Sequence, residues 1–276
     1  MSRLFSFRAL SVLALTLVLV FLSVPLVALF VEAGPGELWD ALGSQQATDA
    51  LLLSLRTTLI ALAVILIVGT PAAYLLARSA FRGRSVAITL IELPLVLPPA
   101  AAGIALLAAL GPNGLIGGGL EDAGIELVLQ TAGVVVALVF VASPFFIRQA
   151  IAAFESVDSE LIEASRTLGG GELRTFARVA IPSALPGLTS GAALAWGRAL
   201  GEFGATLMFA GSLQGRTQTA PLAIYSLLGR DFDASLALSA VLVAISAAIL
   251  LSVKLIGWGD REKGRGREGR LADAGV

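Results

Sequence analysis

The chain contains no cysteine and no histidine. The first absence excludes disulfides and thiol chemistry. Together the two remove the usual ligands of zinc, copper and haem iron, so no metal site is expected. Charge is scarce as well: Asp, Glu, Lys and Arg make up 14% of the 276 residues, against about 25% in ordinary soluble domains. The formal net charge of −1 offers no basic surface for nucleic acid. A phosphate loop of the form Gly-x-x-x-x-Gly-Lys-Ser/Thr is missing, so nucleotide hydrolysis is not expected of this chain. No paired acids or Ser/Lys constellation stands out, which argues against an intramembrane enzyme.

What is abundant is apolar. Hydrophobic residues reach 57% and mean hydropathy is +0.88. A chain of this composition cannot cover itself with polar surface, so an integral membrane protein is expected. The first apolar run, Ala9–Val31, follows Arg3 and Arg8 and holds 23 residues. A cleaved signal has an apolar region of about 7–15 residues, whereas a span needs about 20. The run is read as a retained first helix. Five more follow, at Leu51–Ala77, Val86–Leu110, Ile125–Ile147, Ser183–Gly211 and Ala234–Ile256. Only helices and closed barrels satisfy their backbone groups in lipid, and these runs show no strand-like alternation. The expected fold is an all-α membrane protein of six spans.

Basic residues set the orientation. Arg3 and Arg8, Arg78, Arg82 and Arg84, Arg148, Arg166, Arg174 and Arg178, and Lys254 with five further basic residues of the tail fall on one side. The alternate loops hold only Arg216 and Arg230. The positive-inside rule then places both termini in the cytoplasm. The expected organisation is residues 1–50 as first helix and outer loop, 51–256 as a five-helix transmembrane unit, and 257–276 as a polar, disordered cytoplasmic tail.

Two spans are irregular. The third opens Glu92-Leu93-Pro94-Leu95-Val96-Leu97-Pro98-Pro99, and proline both removes a backbone donor and clashes with the preceding turn. The fifth carries Gly187, Gly191, Gly197, Gly201, Gly204 and Gly211. Small residues let membrane helices approach closely. Two readings stand: packing within the subunit, or a mobile helix at a dimer interface. Ionisable residues in mid-membrane are costly and tend to be functional. Arg56 is close enough to the outer end of its span to snorkel, and Glu92 to the cytoplasmic interface. Arg198 and Glu202, near the middle of span five, are spaced i, i+4 on a shared helix face. They form either a self-neutralising pair or the border of a water-filled route. A stand-alone secondary transporter would need inverted repeats and midplane ion ligands, and only this pair presents itself.

Between spans four and five lies a polar hairpin, residues 155–182. Asp158 or Ser159 can cap a helix with Glu160 in its first turn. Glu163 can pair with Arg166. Gly169-Gly170-Gly171 permits the left-handed backbone that ends a helix. A short basic helix from Glu172 to Arg178 can lead through Ile181-Pro182 into the next span. Mixed charge and small residues, rather than Trp or Phe beside a basic face, favour a protein partner over lipid.

These residues resemble the permease subunits of ABC importers. The family pattern is Glu-Ala-Ala, three residues, Gly, nine residues, Ile-x-Leu-Pro. Here it is Glu163-Ala164-Ser165, Gly169, then Val179-Ala180-Ile181-Pro182, with mild changes at Ser165, Val179 and Ile181. Leu97–Gly103, Arg198–Gly211 and Gly215–Tyr225 are similar to oxyanion permeases, molybdate permeases in particular. Tungstate and sulfate/thiosulfate permeases share much of this. Ser212 and Ala220 depart from the Asn and Leu common there. The resemblance covers roughly residues 50–256. It implies a cell-membrane homodimer working with a separate ATP-binding subunit and an extracytoplasmic binding protein. ATP and Mg would be bound by the partner and no cofactor by this chain. It also implies that Glu163, Ala164, Ser165, Gly169, Val179, Ile181 and Pro182 belong to a cytoplasmic coupling helix. Pro98, Pro99, Gly103, Arg198, Gly201, Glu202 and Gly204 would border the path or its gate. The cargo would be molybdate or tungstate, with sulfate or thiosulfate as the alternative.

Overall fold

The computed structural model describes the backbone of residues 2–273 and the side chains of residues 7–252. Every regular element among the described residues is a helix, with no strand. In chain order the helices are α1 (Ser2–Glu32), α2 (Pro35–Gly43), α3 (Gln45–Arg78), α4 (Arg84–Val96), α5 (Pro99–Leu110), α6 (Gly117–Asp122) and α7 (Thr131–Glu155). They continue with α8 (Ser159–Thr167), α9 (Glu172–Thr175), a π turn at Phe176–Ala180, α10 (Ile181–Leu200), α11 (Gly204–Ala210), α12 (Ala220–Leu228) and α13 (Phe232–Asp273). The tail expected to be disordered, residues 257–276, continues the α13 backbone as far as Asp273, and residues 274–276 lie outside the described residues.

Among the described residues, five stretches are long and apolar enough to cross a membrane: Phe7–Glu32, Gln45–Arg78, Thr131–Glu155, Glu172–Leu200 and Phe232–Ser252. The third expected span, Val86–Leu110, is not one helix. It divides into α4 and α5, bent by 119°. The residue before a proline is held out of the α region. Leu97 precedes Pro98 and Pro98 precedes Pro99, so two consecutive residues are extended, with ψ of 132° and 137°. Pro99 then sits at the start of α5, where its missing N–H costs nothing. The fifth expected span, Ser183–Gly211, also differs. Its helix stops at Leu200, and α11 is a separate short helix after the break at Gly201–Phe203. The span expected at Ile125–Ile147 is displaced, because residues 125–130 are irregular and α7 begins at Thr131.

The main core joins α3, α7 and α10, through Ile65, Leu138, Phe146, Phe154, Ala184 and Leu188 among others. Lipid supplies no hydrophobic drive between helices, so close packing carries the association. A Cβ on Gly187 would come within 2.4 Å of Ala153 Cβ, and one on Gly69 within 3.0 Å of the Phe146 ring. The close-packing role expected for Gly187 is therefore made against α7. Tyr74, Phe154 and Phe176 stack where the π turn enters the bundle, with Tyr74 centroids 5.3 and 4.8 Å from the other two. A second cluster joins α5, α7 and α11 through Ala102, Leu106, Ala137, Val141, Ala205 and Phe209.

Candidate functional site: the hairpin and the α5–α11 contact

The hairpin folds from local rules. Asp158 caps α8, its Oδ1 accepting the Glu160 N–H at 2.9 Å. At the other end Gly169 has φ +81°. The Gly169 N–H donates to Arg166 O at 3.0 Å and the Gly170 N–H to Ser165 O at 2.9 Å. This is the Schellman closure, and it needs the left-handed residue that glycine supplies. Ser165 and Thr175 hydroxyls meet at 2.9 Å and tie α8 to α9. Thr175 is buried, as is Ile162, the inward side chain of α8. The departure from Ala at Ser165 thus has a structural use.

Glu163, Ala164 and Gly169 are exposed, while Ser165, Val179 and Ile181 are half-buried and Pro182 is exposed at the start of α10. Glu163 and Arg166 are not among the ion pairs of the described residues. Both stay solvated, consistent with the small worth of exposed i, i+3 pairs. Sequence reasoning missed three leucines on this element. Leu161 is 51% exposed, Leu168 87% and Leu173 78%. Leucines in an otherwise polar segment were the available signal. They give the hairpin an apolar outer surface beside its charges.

The residues expected to border a path are partly brought together. Gly103 of α5 lies so close to α11 that a Cβ there would fall 2.6 Å from Met208 Cβ, 2.7 Å from Ala205 O and 2.9 Å from Ala205 Cα. A Cβ on Gly204 would fall 2.6 Å from Pro99 Cβ. Pro99, Gly103 and Gly204 therefore form one contact between the two short helices. Pro98 is exposed at the bend. Gly201 makes no close approach, since a Cβ there meets only Gly197 O at 3.8 Å.

Arg198 and Glu202 do pair, Nη2 to Oε2 at 2.5 Å. They do not share a helix, however, because α10 ends at Leu200 and Glu202 lies in the break. Arg198 lies in the last turn of α10. Glu202 is 1% exposed. Its Oε1 accepts the Ala205 N–H of α11 at 2.7 Å. Its Oε2 accepts no hydrogen bond, the Arg198 contact being charge without hydrogen-bonding alignment. The Thr206 hydroxyl nearby in sequence is buried without a partner.

Other ionisable side chains make ion pairs between helices. Glu92 of α4 pairs with Arg148 of α7 at 3.2 Å, and Arg84 with Glu155 at 2.8 Å. Arg56 is exposed on α3. The segment Gly215–Tyr225 is held by polar contacts that the sequence did not reveal. Ser54 Oγ accepts the Ala220 N–H at 2.7 Å. Gln218 donates to Ser212 at 3.3 Å and accepts from Gln46 at 3.3 Å. Ala220 is fully buried.

Residues 69–257 match the family described as "Binding-protein-dependent transport system inner membrane component". The Molybdenum transport system permease protein ModB of Mycobacterium tuberculosis is 44% identical over 237 residues, covering 85% of this chain and 89% of that protein. The Probable transport system permease protein NifC of Clostridium pasteurianum is 39% identical over 246 residues, covering 88% and 86%. The Sulfate transport system permease protein CysW of Synechocystis is 33% identical over 248 residues, covering 88% and 90%. Among solved structures, a bacterial ABC transporter involved in the import of the acidic polysaccharide alginate aligns at TM-score 0.75 and 18% identity, over 93% of this chain and 96% of that one. The chain is a multi-pass membrane permease subunit belonging to the binding-protein-dependent transport system inner membrane component family.

Proposed function

We propose that this subunit forms the membrane path of an ATP-driven importer for a tetrahedral oxyanion, molybdate or tungstate. The observation that carries the cargo is the 44% identity to a molybdenum permease across 85% of the chain. The 33% identity to a sulfate permease makes sulfate the second reading. ATP and Mg are bound by a separate subunit, into which the α8 hairpin seats. Supporting this are the exposed Leu161, Leu168 and Leu173 beside Glu163, on an element whose own backbone is closed by caps. A binding protein delivers the anion from outside.

Six crossings with both termini in the cytoplasm fit the arginine distribution, provided α4 and α5 cross together. Arg84 at the start of α4 pairs with Glu155 at the end of α7. Beyond the bend, α5 packs on α11, whose far end, Ala210, meets Gly133 at the beginning of α7. These contacts at both ends of α7 support the two helices crossing together despite the 119° bend between them. Two copies of the chain enclose the path. Val96 at 82% exposure, Ile104 at 57% and Leu194 at 51% are apolar surface available to a second copy.

The test is uptake of radiolabelled molybdate by proteoliposomes holding the permease, its ATP-binding subunit and the binding protein. ATP-dependent molybdate uptake that excess sulfate fails to suppress is expected. Uptake of sulfate but not molybdate overturns the cargo. Uptake without the ATP-binding subunit overturns the coupling.

A further inference from the structure

The Arg198–Glu202 pair joins two bodies across a break in the chain. Arg198 belongs to α10, which is locked to α7 through Gly187 against Ala153 and Gly191 against Gln149. It is also joined to α3 through the Trp196 Nε1–H bond to Thr58 Oγ1 at 3.1 Å. Glu202 is tied to both helices: its N–H donates to Ala199 O of α10 at 3.2 Å, and its Oε1 accepts the Ala205 N–H of α11 at 2.7 Å. Ala205 in turn lies against Gly103 of α5, and Gly204 against Pro99. A separation of α5 and α11 from α10 would have to break their packing on Ala137 and Val141 of α7, and it would pull Ala205 and the carboxylate it holds away from the guanidinium. The link between the two bodies is Gly201–Phe203, outside any helix, where Gly201 has free space around its Cα.

The pair is also poorly consummated. A guanidinium presents a planar fork of donors that suits a two-oxygen acceptor. Glu202 cannot supply one, since Oε1 is committed to the backbone and Oε2 meets Arg198 without hydrogen-bonding alignment. The Arg198 side chain keeps 27% of its surface, while Glu202 keeps 1%. The more exposed partner of the pair is the positive one. A tetrahedral dianion with four equivalent oxygens can engage the fork in two-point, charge-assisted fashion, which the carboxylate does not.

We propose that the pair is an anion-exchange latch. Glu202 neutralises Arg198 while α5 and α11 are packed against the bundle, and the transported oxyanion takes the place of Glu202 on Arg198 when they move apart. The inference rests on the oxyanion-permease reading above. It assigns the two residues unlike roles: Arg198 touches the cargo, and Glu202 competes with it. In the packed state Glu202 competes for the guanidinium, so an anion binds Arg198 less tightly and the closed path does not trap it.

The experiment uses the assembled importer in proteoliposomes, with molybdate as the probe. Removing only one charge leaves the other buried and unpaired, so the decisive variant is the neutral pair Arg198→Gln/Glu202→Gln. Its uptake is expected to fall at least about tenfold at saturating binding protein, the scale of one lost charged contact. Arg198→Lys, which keeps the charge but loses the planar fork, is expected to fall between wild type and the neutral pair. Equilibrium dialysis supplies a second readout that does not need turnover. The Glu202→Gln permease complex, without binding protein, is expected to hold molybdate about tenfold or more tighter than wild type, because the internal competitor is gone. A neutral-pair variant that transports like wild type overturns the latch, as does unchanged molybdate affinity in Glu202→Gln. If the neutral pair fails to assemble, the dialysis comparison alone decides. Wild type that imports neither molybdate nor sulfate overturns the transport reading, and this inference with it. Wild-type uptake matched by the neutral pair overturns this inference alone.

Discussion

Gly103→Ala is the sharpest steric perturbation of the α5–α11 contact. The added methyl would sit 2.6 Å from Met208 Cβ, 2.7 Å from Ala205 O and 2.9 Å from Ala205 Cα. Ordinary contacts lie near 3.5–4 Å, so the overlap is about 1 Å. Two of the three atoms are backbone, and a Cβ is fixed by its own main chain. No rotamer change relieves the clash; one helix must shift. Overpacking of this kind costs about 1–3 kcal/mol. The shift also strains the Ala205 N–H bond to Glu202, which begins on the same turn. Gly201→Ala is the control, because its methyl meets nothing nearer than 3.8 Å. Its φ of −89° suits any residue, so a near-neutral or slightly stabilising effect is expected. The assay is thermal unfolding of the purified complex in detergent, paired with molybdate uptake. Gly103→Ala should unfold earlier and transport differently from wild type, while Gly201→Ala should match it. Equal stability of Gly103→Ala and wild type would refute the close-contact reasoning.

Three further outcomes are expected. Gly169→Pro removes the left-handed residue of the Schellman closure and the Gly169 N–H, so the ATP-binding subunit should still hydrolyse ATP but no longer drive uptake; normal uptake counts against hairpin docking. Leu168→Asp places a charge on the most exposed hairpin leucine and should weaken co-purification of the ATP-binding subunit by about tenfold or more, the scale of an interface anchor, while undiminished recovery argues that the leucine faces something else. Ser165→Ala removes one hydrogen bond to the buried Thr175 and should cost about 1 kcal/mol locally, read as faster amide exchange across α8 and α9 with global unfolding unchanged.

The spans were legible where composition alone decides. A run such as Ala9–Val31, or the interior of α7, must be helical in lipid because no water satisfies its backbone. The hairpin was legible for a different reason: capping and glycine closure are local, and Asp158, Gly169 and Gly170 act on neighbours within six residues. Prolines 98 and 99 announced a break, but not its 119° size, which the packing of α5 on α11 sets. The division of span five at Gly201–Phe203 was not read from the sequence, where Gly201 and Glu202 were taken into one helix continuing to Gly211. The Arg198–Glu202 spacing was read as a helix face, and the two residues meet although no helix joins them. Their approach is made by Ala205 holding the carboxylate.

By itself, then, the sequence determined a helical membrane protein, its number of apolar runs, the side on which its arginines collect and the closed shape of its polar hairpin. Each follows from solvent or from contacts along the chain. Tertiary structure alone decided that Pro99, Gly103 and Gly204 form one contact, that Leu161, Leu168 and Leu173 stay uncovered, and that Glu202 is buried with one oxygen on Ala205 N–H and the other against Arg198. Those facts depend on which helices approach within a methyl group of one another, and glycines about a hundred residues apart carry no local sign of their partner.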